Sequence, residues 1–396
     1  MIKRFLPTIL IAIVLLIPNI VYAQENISVL DSSTEAHFPT ALVFKIKAES
    51  SSDIIKIRLN YQVEKMNFAK VISESWPQFI PSLKVETRWI WDMRNASLPP
   101  SATIRYWWTI ENKDGNKMVT PVTSILFTDD RYPWQSLSSG NLTLYYYERN
   151  QSIANELMTI AVQALEKITE DTSVHLEKPV DLYIYASSED LQGSLIFPRE
   201  WTGGITFADY SIIAIGISPQ DLDWGKNALA HELGHMVTHQ MTFSPYGVYL
   251  PTWLDEGLAM LAEGKLDPNS QSYLKKAAAE HKFISIRSLS SPFSAKSAEA
   301  YLSYAQSRSI VGFLISNYGR DKMSSLLNLL KEGNSIDEAL AEVYGFDQDG
   351  LDQLWQESLT TPPNQTEPSE HGSLYPSLIY SLAILYNPVF ESSKIR

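Results

Sequence analysis

The sequence predicts an α+β fold in which strands come first and helices afterwards. Residues 27 to about 130 alternate apolar and polar positions in short runs separated by turn residues, the period of half-buried strands. The pattern changes after Arg131-Tyr132-Pro133-Trp134, which reads as a junction. From about residue 224 to 359 the segments are mainly helical in period.

Taken in order, the runs 41–46, 54–61, 86–91, 104–110 and 119–127 are expected strands. Lys113-Asp114-Gly115-Asn116 reads as a hairpin turn, because Gly and Asn tolerate positive φ. Regularly spaced turns of this kind predict an immunoglobulin-like β-sandwich over 24–130. Trp89, Trp91, Trp107 and Trp108 admit a sugar-stacking reading, but alternate Trp residues in strands are more often core, and that reading is preferred. Beyond the junction, 142–147 and 180–185 are expected strands with a helix over 153–168 between them. Segments 205–207 and 211–217 form an expected antiparallel pair joined by Ala208-Asp209-Tyr210. Helices are expected at about 224–242, capped by Asp221 or Asp223, and at 252–263. Others follow at 268–282, 297–318, 320–332, 335–343 and 347–359.

Composition narrows the function classes. With 44% hydrophobic residues, 10 Trp and 20 Tyr, the chain of 396 residues is not a disordered protein. Its net charge of −13 would repel phosphate backbones, so no nucleic-acid partner is expected. Cysteine is absent, which excludes disulfides, a lipid-bearing cysteine and thiolate chemistry. Any metal is left to histidines and carboxylates.

The chain begins like a secretory signal: Lys3 and Arg4, an apolar run over 6–17, and Val21-Tyr22-Ala23 before a cleavage point. Residues 1–23 are read as a signal peptide, with a retained anchor as the alternative, and the body is expected outside the cytoplasm, secreted or at the cell surface. Residues 361–373 have linker composition. The apolar tail 374–390, broken by Pro376 and Pro388, is read as a docked tail or a membrane anchor. Membrane contact is thus an expectation for either end.

The chemistry concentrates in Ala228-Leu229-Ala230-His231-Glu232-Leu233-Gly234-His235-Met236. Residues four apart lie one above the other on a helix, so His231 and His235 aim two imidazoles at one point. Glu232 stands about 100° round the helix, where it reaches a water on the metal without ligating the metal itself. The bland alternative is an incidental histidine pair on a surface helix. A catalytic zinc site needs a third protein ligand and one open position. Leu250-Pro251-Thr252-Trp253-Leu254-Asp255-Glu256-Gly257 opens a second helix and puts Glu256 in its first turns. His239 competes as third ligand, but eight helical residues separate it from His231, roughly 12 Å along the axis, too far for one ion.

His231-Glu232-Leu233-Gly234-His235 followed by Trp253-Leu254-Asp255-Glu256-Gly257 resembles the gluzincin clan of metallopeptidases. The wider stretch resembles the peptidase MA-like domain of exported bacterial and archaeal proteins, including its Ala300-Tyr301-Leu302-Ser303-Tyr304-Ala305-Gln306-Ser307 segment. The resemblance implies a zincin-type metallopeptidase domain over 131–360, with a mixed sheet and a mostly helical C-terminal subdomain. It also implies one Zn2+ held by His231, His235 and Glu256, Glu232 as general base, and a peptide or protein substrate. The strand 211–217 would be the edge along which that peptide pairs. For the oxyanion the clan uses Tyr or His, and Tyr304 and Tyr301 are the candidates, with a core role as the alternative. One departure stands out: thermolysin-like members carry an aspartate four residues after the glutamate, where this chain has Met260. Asp255 is then the remaining candidate partner for an imidazole.

The leading expectation is an exported zinc-dependent peptidase. The alternatives are a non-catalytic cell-surface binding protein on the same scaffold and a zinc amidase acting on cell-wall peptides.

Overall fold

The computed structural model describes residues 26–147, 151–198, 203–246 and 250–360. The expected signal peptide and the linker with its apolar tail lie outside these residues. The protein is a mixed α+β structure with a sheet-rich N-terminal region, a second sheet and a helical C-terminal part.

The first sheet comprises β1 (Ile27–His37), β2 (Ala41–Val63), β3 (Ser73–Ser75), β4 (Ser82–Asp92), β5 (Ala102–Asn112), β6 (Lys117–Val119) and β7 (Thr123–Phe127). The expected strands 41–46 and 54–61 are the two halves of β2, because the polar stretch between them interrupts the alternation while the backbone stays extended. The first half pairs with β1 and β4; beyond a register shift between Glu49 and Ile54, the second half pairs with β3 and β5. The expected strand 119–127 is divided into β6 and β7 around Pro121, which has no N–H to give to a ladder. Gly115, at φ 83°, makes the turn between β5 and β6. Both halves of β2 feed one apolar core through Phe44, Ile46, Ile57 and Leu59, closed by Val85, Ile104, Trp108 and Phe127. Trp89 and Trp91 pack against this core, their rings 5.2 and 4.8 Å from that of Tyr61.

The second sheet holds β8 (Gln135–Ser139) and β9 (Leu142–Tyr146), then, after α1 (Gln151–Thr172), β10 (Val180–Tyr185). After α2 (Ser188–Gln192) it is completed by β11 (Gly204–Phe207) and β12 (Ile212–Gly216), in the order β11-β12-β10-β9-β8. β10 runs parallel to β9 and β12, whereas β11 and β8 are antiparallel to their neighbours. This corrects one expectation. The strand read at 211–217 is not the edge: β12 is buried at all five positions between β10 and β11, and β11 is the edge. A run apolar on both faces is what an interior strand requires.

The helices α3 (Leu222–Thr242), α4 (Thr252–Glu263), α5 (Pro268–Glu280), α6 (Ile286–Leu289), α7 (Ser297–Tyr318), α8 (Arg320–Lys331), α9 (Ile336–Tyr344) and α10 (Gln348–Thr360) follow. Asp221 occupies the N-cap position of α3, but its side chain makes no capping bond there. α1 and α3 cover one face of the second sheet through Leu157, Ala161, Leu229, Leu233 and Met236. A separate core joins α4 to the later helices through Trp253, Leu254, Ile310, Leu314, Leu326 and Trp355. Among the described residues no helix is long and apolar enough to cross a membrane.

The junction is tied to the second sheet and α2 by hydrogen bonds. The buried Asp129 carboxylate accepts from Arg131 at 2.6 Å and from the Tyr185 hydroxyl at 2.9 Å, and its carbonyl accepts from the Trp134 indole at 2.8 Å. Tyr132 and Tyr147 donate to Asp190. Further along, the Met66 N–H donates to the Asp209 carbonyl at 2.6 Å, Lys65 pairs with the Asp209 carboxylate at 3.2 Å, and Phe68 stacks on Phe243 at 4.6 Å.

Candidate metal centre

The apolar side of α3 sets where its polar residues go. Leu229, Leu233 and Met236 are buried toward the sheet, so His231 and His235 emerge on the side where α4 crosses. That crossing is close because of Gly234, between the two histidines: a Cβ there would stand 2.6 Å from the Ala259 Cα. Gly257 does the same on the far side of α4, where a Cβ would stand 2.5 Å from the Ser307 carbonyl oxygen of α7. α4 is thus pressed between two helices with its first turns over the histidines.

Three ligand atoms converge as a result. The Nε2 atoms of His231 and His235 are 3.2 Å apart. Glu256 Oε2 lies 3.3 Å from the first and 3.5 Å from the second, in ion-pair range rather than hydrogen-bond geometry, and it is buried without a hydrogen-bond donor. A tetrahedral ion with bonds of about 2.0–2.1 Å holds its ligands about 3.3–3.4 Å apart. The three atoms already have that spacing, so His231, His235 and Glu256 fit a metal. Without a cation or a proton, two lone pairs and a carboxylate oxygen would face one another in a shielded space.

The other ring nitrogens are held as metal-binding imidazoles require. His231 Nδ1 lies 2.7 Å from Glu263 Oε1, and His235 Nδ1 lies 3.1 Å from Asp255 Oδ1. A proton donated from Nδ1 to a carboxylate leaves the Nε2 lone pair free for an ion. Asp255 Oδ1 also sits 3.1 Å from His239 Nε2, so His239 joins the outer layer, consistent with its exclusion as a ligand to the His231 ion.

The electrostatics follow from this packing. Burial opposes a charged imidazole, but Glu256 and Glu263 outweigh it and raise His231 to about 9. His235 is likewise raised, burial being overcome by Asp255 and Glu256. Burial would lift the carboxyl of Glu256, yet the two imidazoles hold it at about 2, and Asp255 is held well below the usual carboxylate range by His235 and His239. The shifts arise because imidazoles and carboxylates pair with one another, and a divalent cation would take the place of the protons.

Of the two tyrosines, Tyr304 is half-buried with its ring 5.1 Å from that of Phe293. Burial, and then the negative charges of Glu256, Glu232 and Glu263, push its hydroxyl up to about 12. Tyr301 is exposed and stacks on Tyr273 at 5.7 Å. Glu232 turns toward β11, where its carboxylate meets Thr206 at 2.6 Å. Sequence reasoning missed Glu263 and Thr206. Glu263 carried a usable signal: it lies seven residues, two helical turns, after Glu256, on the same face of α4.

A helix-borne pair of histidines closed by a glutamate from the next helix is the metal-site architecture of a hydrolase. The profile of the peptidase MA superfamily matches residues 160–361, and the chain belongs to that superfamily. Membership implies a peptidase-type hydrolase, in a superfamily that is generally metal-dependent. Among curated proteins none matches. Solved structures with some likeness include the bromine derivative of BhCBM56, at 8% identity and a TM-score of 0.18, covering 24% of this chain and 88% of that one. The sporulation control protein Spo0M from Bacillus subtilis is 9% identical with a TM-score of 0.18, covering 36% of this chain and 55% of that one. A family 76 glycoside hydrolase from a bovine Bacteroides thetaiotaomicron strain is 8% identical with a TM-score of 0.16, covering 85% of this chain and 64% of that one. Likenesses this weak carry no argument.

Proposed function

We propose that this protein is an exported zinc-dependent peptidase in which His231, His235 and Glu256 hold one Zn2+ and Glu232 is the general base. The observation that carries the reading is the convergence of two Nε2 atoms and a carboxylate oxygen at mutual distances of 3.2, 3.3 and 3.5 Å. Zinc suits the donor set, because nitrogen and oxygen donors without thiolates in a tetrahedral spacing match its preferred geometry. When bound, the ion supplies Lewis acidity to a water and to the scissile carbonyl. Glu232, next to His231 on α3, takes the proton from the water and passes it to the leaving amine. Tyr304 donates to the oxygen that gains charge as the carbonyl is attacked. The substrate is an extended peptide or protein segment, and β11, as the sheet edge beside Glu232, offers the unpaired backbone groups for it.

The remaining parts of the reading concern organisation. Residues 1–23 act as a signal peptide, 24–130 form an immunoglobulin-like sandwich, and 131–360 form the peptidase domain of zincin type. The tail after 361 or an uncleaved N-terminus provides any membrane contact. In a peptide-library digest, the metal-loaded protein is expected to cleave and a chelator to stop it. Glu232→Gln should keep full metal stoichiometry while turnover falls by about 1,000-fold. A Glu232→Gln protein that digests at the native rate would end the base assignment.

A further inference from the structure

β11 does more than offer a sheet edge: two of its residues, Thr206 and Gly204, meet the Glu232 side chain. The Thr206 hydroxyl lies 2.6 Å from Glu232 Oε2 and 3.1 Å from the Glu232 main-chain carbonyl oxygen. One hydroxyl proton cannot serve both acceptors fully, and with the carboxylate ionised the charge-assisted bond is the stronger. The second oxygen is governed by Gly204, two residues earlier on the same face of β11. A Cβ there would come 2.9 Å from Glu232 Oε1 and 3.3 Å from its Cγ. Thr206 therefore pulls one oxygen of the carboxylate toward the strand, while the missing side chain at Gly204 leaves room for the other.

We infer that Thr206 and Gly204 are positioning residues that hold the Glu232 carboxylate in one orientation, Oε2 tied to β11 and Oε1 left free to accept a proton. This rests on Glu232 being the general base. A glutamate side chain free in χ spreads over several rotamers, and a base must stand within hydrogen-bond reach of the proton it takes. The clamp removes that freedom before substrate arrives, and because it belongs to the edge strand, a peptide that pairs with β11 would meet a base already aimed.

The experiment compares wild type, Thr206→Val, Thr206→Ser and Gly204→Ala, each metal-loaded and checked for metal content. Valine keeps the shape of threonine and removes the donor; serine keeps the donor. Thr206→Val is expected to lower kcat about tenfold at unchanged KM and metal stoichiometry, with Thr206→Ser restoring most of it. Gly204→Ala should lower kcat as well, by steric displacement. Crystal structures of the same set provide a readout independent of turnover: one Glu232 rotamer in wild type and Thr206→Ser, a displaced or mixed one in Thr206→Val. If Thr206→Val keeps both the rotamer and kcat, the inference is overturned. If wild type cleaves no peptide at all, the peptidase reading fails, and the rotamers still decide whether the clamp exists.

Discussion

The N-terminal sheet and the α3–α4 crossing handle buried space in opposite ways. In the sheet, residues with ligand-binding potential are absorbed into packing: Trp108 is fully buried and Trp89 and Trp91 lie against Tyr61. At the crossing, ionisable groups that packing ordinarily excludes, His231, His235, Asp255, Glu256 and Glu263, are gathered within contact of one another. The polar side chains that the sheet buries, Asn60, Thr109 and Asn112, are neutral and hydrogen-bonded to neighbouring strands and turns, whereas the crossing departs from this by burying charges in a cluster that pairs in a fixed pattern. Function is to be sought where that departure is organised.

The largest effect that separates the two regions should come from the sheet. Trp108→Ala is expected to cost about 3–5 kcal/mol of stability in thermal or denaturant unfolding, because a large, fully buried side chain leaves a cavity. Metal stoichiometry at low temperature should stay unchanged, and loss of the metal site in that variant would mean that the regions are not separable. Gly257→Ala should cost about 1–3 kcal/mol by overpacking against the Ser307 carbonyl, and here the metal affinity should fall too, since α4 must shift and carries Glu256 with it. Glu263→Ala leaves packing nearly intact and releases the Nδ1 proton of His231, so a loss of about 10- to 100-fold in metal affinity is expected, read by chelator competition. Unaltered affinity would reduce Glu263 to a bystander.

The finest test uses no substitution. His231 is raised to about 9 and His235 is raised as well, so at neutral pH an incoming ion must displace protons. Metal affinity should climb by about tenfold per pH unit for each proton displaced, and His231's share should level off above about pH 9. The metal-free protein shows the mirror image. A raised imidazole contributes stability that is fully present below its unfolded value of 6.5 and is lost as pH rises through about 9. Metal-free stability that rose over that window would contradict the pairing of these histidines with carboxylates.

Much of this was legible in the sequence for definite physical reasons. The helix Thr252–Glu263 has the predicted bounds, because its start at Pro251-Thr252 and its apolar period are both local signals. The convergence of His231, His235 and Glu256 was legible because helical spacing fixes two of the directions and the demand for a third ligand fixes the third. What escaped depends on contacts between elements. β1 and β8 have weak alternation, and β1 is recognisable chiefly through its pairing with β2. The edge position of β11 follows from strand order, which no single strand encodes. Glu263 escapes the sequence because the family spacing points to position 260, one turn past Glu256, while the partner of His231 stands a further turn along.

The hook at Asp209 has a consequence for any attempt to divide the chain. Asp209 lies in the short turn that leaves β11, and its carbonyl and carboxylate are both engaged by the N-terminal region through Met66 and Lys65. A fragment beginning at residue 131 would leave that turn without its brace, and fraying would begin two residues from the strand that lies against Glu232. The N-terminal region thus serves as a splint for the second sheet, and trimming it away would loosen the surroundings of Glu232 from the side of β11.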